Sequence, residues 1–163
     1  MDALGGRAGG RPQGSPLDRL LRCRWVLSWK TSGAAKARMV IVGFTDPDLA
    51  EERREAPTVS KRARMLCLQM AATHRWPAEK GDVISSFLQC RDKTEEHRQI
   101  YMDPVDELRE SLKMGQDQIV QILKAGYGLT NAPRRWWQQV KKDLEAAGGT
   151  PSRLEACVCV DGP

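Results

Sequence analysis

The sequence lacks the signatures of several common protein classes. Its 163 residues include five cysteines but no Cys-x-x-Cys pair, which argues against a zinc ribbon or a secreted disulfide framework and indicates reduced thiols inside a cell. No segment approaches the roughly 18 consecutive apolar residues that a membrane span needs. The N-terminus also has no apolar signal-peptide core. We therefore expect an intracellular protein, cytoplasmic or nuclear, that is not secreted and has no transmembrane segment.

Familiar catalytic and nucleotide-binding motifs are also missing. The chain has no G-x-x-x-x-G-K-[ST] loop, no G-x-G-x-x-G after a strand, no H-E-x-x-H and no G-x-S-x-G. Its two histidines, His74 and His97, have no partner at metal-ligand spacing and are interpreted as surface residues. Composition and spacing alone therefore predict a basic domain without indicating a mechanism.

The charge that is present is distributed unevenly along the chain. The net charge is +5, with 13 basic and 7 acidic side chains in residues 1–64 against 13 and 14 in residues 65–163. The first part therefore carries +6 and the second part −1. A basic surface favours a polyanionic partner such as nucleic acid, because each neutralised phosphate releases counterions. A solvated basic face without a partner is the alternative.

Composition also predicts a tail in front of one folded domain. Residues 5–16 are rich in glycine, arginine and proline and have no large apolar side chains. Such a segment cannot offset the entropy of ordering by burial. We therefore predict a disordered tail over residues 1–23 and a single domain over residues 24–163.

Hydrophobic patterning predicts strands and helices in no regular order, which is typical of the α+β class. In the first strand, Trp25, Leu27 and Trp29 share one face. Ser60 and Asn131 are candidate N-caps. The helix after Ser60 has an apolar stripe that includes Met65, Leu68 and Ala72. The predicted elements are a hairpin of residues 24–30 and 36–44, helices over 61–75, 105–113 and 132–147, and strands over 76–82, 99–104, 117–123 and 156–160.

The order of several short motifs resembles that of copia-type retrotransposon reverse transcriptases. The motifs are RWVLSWK, KARMVIVGF, EAPTVSK, GDVISSFLQC, QIYMDP and LKAGYGLTNAPRRWW, and together they span about residues 24–160. The most specific run is Tyr127-Gly128-Leu129, followed by Ala132-Pro133-Arg134 and Trp136. An Asp-Val…Phe-Leu motif upstream, at the spacing found in that family, supports the same resemblance.

This resemblance implies a right-hand polymerase, of which the chain would supply the fingers and the first half of the palm. The implied fold is therefore α+β with mixed antiparallel strands and helices. The family copies RNA into DNA by nucleotidyl transfer with two divalent metal ions, Mg²⁺ or Mn²⁺. The implied partners are an RNA template, a DNA primer, deoxynucleoside triphosphates and the missing C-terminal part of the polyprotein.

The resemblance also implies roles for individual residues. Asp82 lies where the family has its first catalytic aspartate, and the Val83 carbonyl would be a further oxygen ligand of the metal. An ordinary turn aspartate is the alternative for Asp82. For Lys36 and Arg38, which suit phosphate by charge and geometry, a solvated strand face is the alternative. The residues implied to bind nucleotide or template are Lys36, Arg38, Tyr127, Gly128, Asn131 and Arg134.

The sequence departs from the family pattern within the same motifs. Ile84-Ser85-Ser86 replaces the usual Lys-Thr-Ala, and Thr130-Asn131 replaces Lys-Gln. The Tyr-Val-Asp-Asp strand with the other catalytic aspartates is missing, and Asp161 is interpreted as a turn residue. One carboxylate cannot hold two metal ions, so we expect this polypeptide alone to bind Mg²⁺ weakly and to lack polymerase activity. The alternatives are a non-catalytic nucleic-acid-binding remnant and a decayed transposon relic.

Overall fold

The fold is α+β, as the sequence pattern predicts. The computed structural model describes residues 8–9, 19–91 and 99–161, so most of the predicted tail, and His97, lie outside the described residues. No helix in these ranges combines the length and the apolar character needed to cross a bilayer. The strands are β1 (Ala8–Gly9), β2 (Leu20–Trp29), β3 (Ala35–Ile41), β4 (Ile100–Asp103), β5 (Ile119–Ile122), β6 (Gly149–Pro151) and β7 (Cys159–Asp161), and the α-helices are α1 (Lys61–His74), α2 (Asp106–Leu112) and α3 (Ala132–Ala146).

Five of the described strands form the main sheet, in the order β1-β5-β4-β2-β3. Neighbouring strands are antiparallel except for β2 and β4, which run parallel and pair Leu20 with Tyr101. A parallel pair needs a long crossover connection, which here includes β3 and α1. Strands β6 and β7 form a separate two-stranded sheet next to α3. Strand β3 therefore lies at an edge of the main sheet.

The hydrophobic core lies at the middle strands of the main sheet. Leu21 of β2, Met102 of β4 and Cys90 are its largest fully buried side chains. Ile122 of β5 belongs to the same cluster, and Trp136 of α3 packs against it while remaining partly exposed. Helix α3 thus covers the centre of the sheet, and the core ends where β2 and β3 extend beyond β4.

A buried arginine connects the end of β4 to the start of β5. Arg109 of α2 is only 7% exposed. Its guanidinium donates hydrogen bonds to the carbonyl oxygens of Pro104, Gly115 and Gln118 and forms an ion pair with the Asp103 carboxylate. A buried charge is tolerated only when it is paired and hydrogen-bonded in this way. The network therefore fixes the α2 segment between two adjacent strands.

Helix α1 is capped as predicted but is not buried. The Ser60 Oγ accepts a hydrogen bond from the Ala63 amide at 3.1 Å, which satisfies one of the free N–H groups at the helix start. The predicted apolar stripe, by contrast, does not face a core. Met65 and Leu68 are 56% and 53% exposed, and α1 has no buried residue. Its periodicity indicates a helix but does not show whether another segment covers it.

Three differences from the sequence prediction concern the segment before Asp82, the tail and Asp161. Residues 76–82 form no strand, because Pro77 lacks a backbone donor and no described segment pairs with them. Strand β2 begins at Leu20, inside the predicted tail of residues 1–23, since its first residues pair with β4. Asp161 is the last residue of a strand rather than part of a turn. Each difference depends on pairing with a distant segment, which a local pattern does not reveal.

Candidate functional site

An open cleft of about 860 Å³ lies along the edge strand β3. It is lined by the β2–β3 hairpin, residues 82–86, Leu88 and residues 126–127. Concave sites of this size are the usual location of ligand binding in proteins. The structure brings five residues with an implied role into this cleft, and these are Lys36, Arg38, Asp82, Val83 and Tyr127.

The hairpin provides the cations of the cleft. Lys36 and Arg38 are two residues apart in β3, so their side chains leave the same face of the strand. Lys30, at the end of β2, is a third cation in the lining. The turn that follows it, closed by a 2.8 Å hydrogen bond from the Lys30 amide to the Ala34 carbonyl, folds β3 back beside β2. Sequence analysis missed Lys30, although its position directly before the predicted turn would have placed it near Lys36.

Asp82 lies in an irregular loop rather than at the end of a strand. Its side chain is exposed, as is that of Val83. Ser85 has a φ of 51°, in the left-handed region that non-glycine residues rarely adopt. The following turn of 3₁₀ helix includes Phe87, which packs against the core. The loop is therefore anchored at Phe87, while Asp82 is accessible to solvent and to a ligand in the cleft.

A glycine loop holds Tyr127 against β3. The Tyr127 carbonyl accepts a 2.8 Å hydrogen bond from the Ile41 amide. Gly128 has a φ of 91°, and a Cβ atom there would lie 1.9 Å from the Ile41 carbonyl oxygen, so only glycine fits. The close approach that Gly128 permits is therefore to β3, and Gly128 does not line the cleft. The Tyr127 ring centre lies 5.8 Å from the Arg38 Cζ and 5.6 Å from the Phe87 ring centre.

Asn131 and Arg134 do not line the cleft. The Asn131 side chain makes no cap hydrogen bond to α3, contrary to the prediction, and instead its Nδ2 donates to the Glu52 Oε1 at 2.6 Å. The Arg134 Nη1 donates to the Glu55 carbonyl oxygen at 3.1 Å. Both side chains therefore hold the segment before α1. Neither contact follows from the sequence, because the partners are 79 residues away.

The described residues do not by themselves fit a pair of divalent metal ions. Among the described residues that line the cleft, Asp82 is the only one with a carboxylate, and the Val83 carbonyl adds one further oxygen at most. Across residues 8–9, 19–91 and 99–161, no three His, Cys, Asp or Glu side chains cluster as a metal site requires. Two ions need several carboxylate oxygens held rigidly together. The described residues therefore do not complete such a site.

Comparison with known proteins gives a family match over most of the chain. The family described as reverse transcriptase (RNA-dependent DNA polymerase) matches residues 15–162. No solved structure matches the chain.

Similar curated proteins come from plant and yeast transposons. The Retrovirus-related Pol polyprotein from transposon RE2 of Arabidopsis thaliana is 28% identical over 147 residues, which are 84% of this chain and 9% of that protein. The corresponding polyprotein from transposon RE1 of the same plant is 27% identical over 139 residues, 79% of this chain and 9% of its own length. The Transposon Ty1-DR4 Gag-Pol polyprotein of Saccharomyces cerevisiae is 25% identical over 142 residues, 86% of this chain and 8% of the yeast protein. The chain therefore spans less than a tenth of the length of these relatives.

Proposed function

This chain belongs to the reverse transcriptase (RNA-dependent DNA polymerase) family, and from that premise we propose that it is part of a retrotransposon RNA-directed DNA polymerase. In this proposal it supplies the fingers and the first half of the palm. The cleft along β3 receives the RNA template, the DNA primer and the incoming deoxynucleoside triphosphate. The remaining part of the polymerase comes from further polypeptide of the Pol polyprotein.

The composition of the cleft supports this proposal. Lys30, Lys36 and Arg38 bring three cations into one cleft that also contains Asp82. Guanidinium groups bind phosphate through two parallel hydrogen bonds, and ammonium groups bind it as point charges. The cations on the hairpin side of the cleft are therefore suited to bind the phosphate groups of a nucleic acid or a triphosphate. Asp82 supplies the carboxylate that the reaction needs near the primer end.

The hairpin's role can be tested by nucleic-acid binding to the full 163-residue chain. Lys36→Ala and Arg38→Ala are each expected to weaken binding of a fluorescein-labelled RNA–DNA hybrid about tenfold, since each removes a charge-assisted hydrogen bond. Arg153→Ala is the control, because Arg153 is exposed and does not line the cleft. Fluorescence anisotropy at low salt gives the affinities. Equal binding by all variants would show that the hairpin does not contact phosphate.

The 163-residue chain alone is expected to bind nucleic acid without extending a primer. Asp82 is the only acidic residue among the described residues of the cleft, and removing its negative charge by Asp82→Asn should leave binding equal or slightly tighter. A templated primer-extension assay with Mg²⁺ or Mn²⁺ measures the activity. Extension that is lost on Asp82→Ala would contradict the expected inactivity.

A non-catalytic nucleic-acid-binding protein is the second candidate, and the excess of cations over carboxylates in the cleft favours it. A chimera separates the two functions. We join this chain to the C-terminal remainder of the polymerase domain of a copia-type relative and repeat the extension assay. The polymerase proposal predicts extension that Asp82→Ala abolishes, whereas the binding protein predicts none. Absence of binding at low salt would favour a relic without present function.

A further inference from the structure

We propose that Tyr127 is a positioning residue that holds the guanidinium of Arg38 over the cleft. The resemblance implies that Tyr127 itself contacts nucleotide or template. In the structure, the Tyr127 ring instead lies beside Arg38, the cation that the proposed function assigns to phosphate binding. The inference rests on the proposed function, since it assumes that Arg38 meets a phosphate.

The Arg38 side chain binds a ligand in the cleft more favourably if a neighbouring group restricts its rotamers. It lies on the edge strand β3 and its side chain is exposed. A long exposed side chain samples many rotamers, and binding a ligand then costs the entropy of fixing one of them. The Arg38 Cζ lies 5.8 Å from the centre of the Tyr127 ring, within the range of about 6 Å in which a cation is attracted to an aromatic face. The ring therefore favours those rotamers that keep the guanidinium at the cleft.

Tyr127 is itself held rigidly enough to act as a platform. Its backbone is bonded to Ile41, and the close contact of Gly128 with the same strand leaves the loop little freedom to move. Its ring makes an edge contact with Phe87 at an interplanar angle of 65°. Phe87 packs against the core, so the position of the ring is linked to the core and not only to the loop.

The same contacts oppose direct stacking of a base on Tyr127. The guanidinium of Arg38 lies over the ring, and Phe87 lies against it. A base that stacked on the face beneath Arg38 would have to displace the cation that is proposed to meet the phosphate. The geometry therefore assigns Tyr127 an effect on binding that acts through Arg38.

This assignment predicts that an uncharged side chain affects binding only through a neighbouring cation. Each phosphate contact made by a cation contributes roughly 0.7 to 0.9 to the slope of log affinity against log salt concentration. Arg38→Ala should lower that slope by about this amount for the RNA–DNA hybrid. Tyr127→Leu should weaken binding about two- to fivefold and leave the slope nearly unchanged, because it removes no charge and Arg38 still reaches the phosphate in the complex. Tyr127→Phe should behave like the wild type, because the ring and not the hydroxyl acts on Arg38.

The experiment measures anisotropy of the full chain with the labelled RNA–DNA hybrid between about 50 and 200 mM salt. In the Arg38→Ala background, Tyr127→Leu should cause no further loss. Tyr127→Met is a second variant without a ring, to be used if the leucine variant folds poorly. Thermal melts followed by circular dichroism show whether each variant is folded. In the protein without nucleic acid, NMR should show side-chain protons of Arg38 shifted upfield by the ring in the wild type and in Tyr127→Phe, but not in Tyr127→Leu.

The outcomes separate the inference from the proposed function. If Tyr127→Leu binds like the wild type, or weakens binding further in the Arg38→Ala background, Tyr127 does not act through Arg38 and the inference is wrong. Unshifted Arg38 protons in the wild type would overturn it as well. If Arg38→Ala binds like the wild type, the phosphate role of the hairpin fails, and with it the proposed function on which the inference rests.

Discussion

The two ends of strand β2 differ in what they contribute to the protein. Leu21 is 1% exposed, whereas Leu27, on the same face six residues later, is 76% exposed. Beside Leu21, β2 pairs with β4 on one side and the core covers it, whereas beyond Cys23 the strand pairs with β3 alone. The buried end can stabilise the fold. The part of the β2–β3 hairpin beyond Cys23, here called the arm, can present side chains to a partner. Strand formation alone therefore does not identify the residues on which stability depends.

The helices show the same division. Helix α3 places Ala132 and Gln139 in the interior, and Trp136 packs on the core. Helix α1 has large apolar side chains, including Met65 and Leu66, but none of its residues is buried. The sheet centre with α3 is therefore the stable part of the described chain. The arm and α1 are the parts whose side chains remain available for contacts.

The largest effect is expected from paired substitutions along β2. Leu21→Ala leaves a cavity in the core and should lower the free energy of unfolding by about 2–5 kcal/mol. Leu27→Ala on the arm should change it by less than about 0.5 kcal/mol, because the side chain is already exposed. Urea unfolding followed by tryptophan fluorescence measures both. Similar losses for the two variants would remove the distinction between core and arm.

Arg109→Ala tests whether the polar network also belongs to the stable part. It removes charge-assisted hydrogen bonds to three carbonyl groups, and we expect a loss of about 2–3 kcal/mol in the same unfolding assay. The loss should stay below that of a fully buried ion pair, because the Asp103 side chain is 46% exposed and water can solvate it. Arg153→Ala on an exposed loop should be nearly neutral. An equally small change for Arg109 would mean that the network adds nothing to stability.

Gly128→Ala tests the junction between the arm and the core. Both Gly128 and Gly33 have a positive φ, so alanine costs about 1 kcal/mol at either position from backbone strain. Only at Gly128 does the new Cβ meet a backbone oxygen, that of Ile41, whereas at Gly33 it meets no atom within 4 Å. Gly128→Ala should therefore destabilise by about 1–3 kcal/mol more than Gly33→Ala. Equal losses in thermal unfolding would show that the loop moves away from β3 without cost.

The labelling rates of the cysteines compare the stable sheet centre with the arm and α1 without any substitution. Cys67 on α1 is exposed and should react with iodoacetamide fastest, whereas Cys90 in the core should be protected. Burial raises the pKa of the Cys23 thiol, so at neutral pH it reacts slowly and its rate increases as the pH rises. The stability that the neutral Cys23 thiol provides is present at lower pH and is lost as the pH rises through this raised pKa. Mass spectrometry follows each site, and labelling of Cys23 as fast as Cys67 would show that the arm opens down to the core.

Local sequence patterns predicted the elements that depend on local contacts. The β2–β3 hairpin agrees with the predicted pairing of residues 24–30 with 36–44, and α3 agrees with the helix predicted over residues 132–147. The start of β2 at Leu20 did not follow, because those residues form a strand only by pairing with β4. Residues 76–82 were predicted to form a strand, yet no described segment pairs with them.

The candidate site shows the same limit. The family motifs pointed to Lys36, Arg38, Asp82, Val83 and Tyr127, and the fold brings all five to one cleft, where their roles remain proposals. The motif around Tyr127 could not indicate that Asn131 and Arg134 turn towards the segment before α1. Those contacts are made with residues far away in the sequence, and only the fold defines which partners come within reach.

The parallel pairing of β2 with β4 has a consequence for synthesis on the ribosome. Leu20 pairs with Tyr101, 81 residues later. At a synthesis rate of about 5–20 residues per second, β4 is therefore made about 4–16 s after β2. The β2–β3 hairpin needs only about 1–10 μs once both strands have emerged. Labelling Cys23 in chains stalled before and after β4 would show when the strand becomes covered. During that interval the nascent hairpin exposes Leu21 as well as Leu27, which makes it a target for chaperones until the core closes.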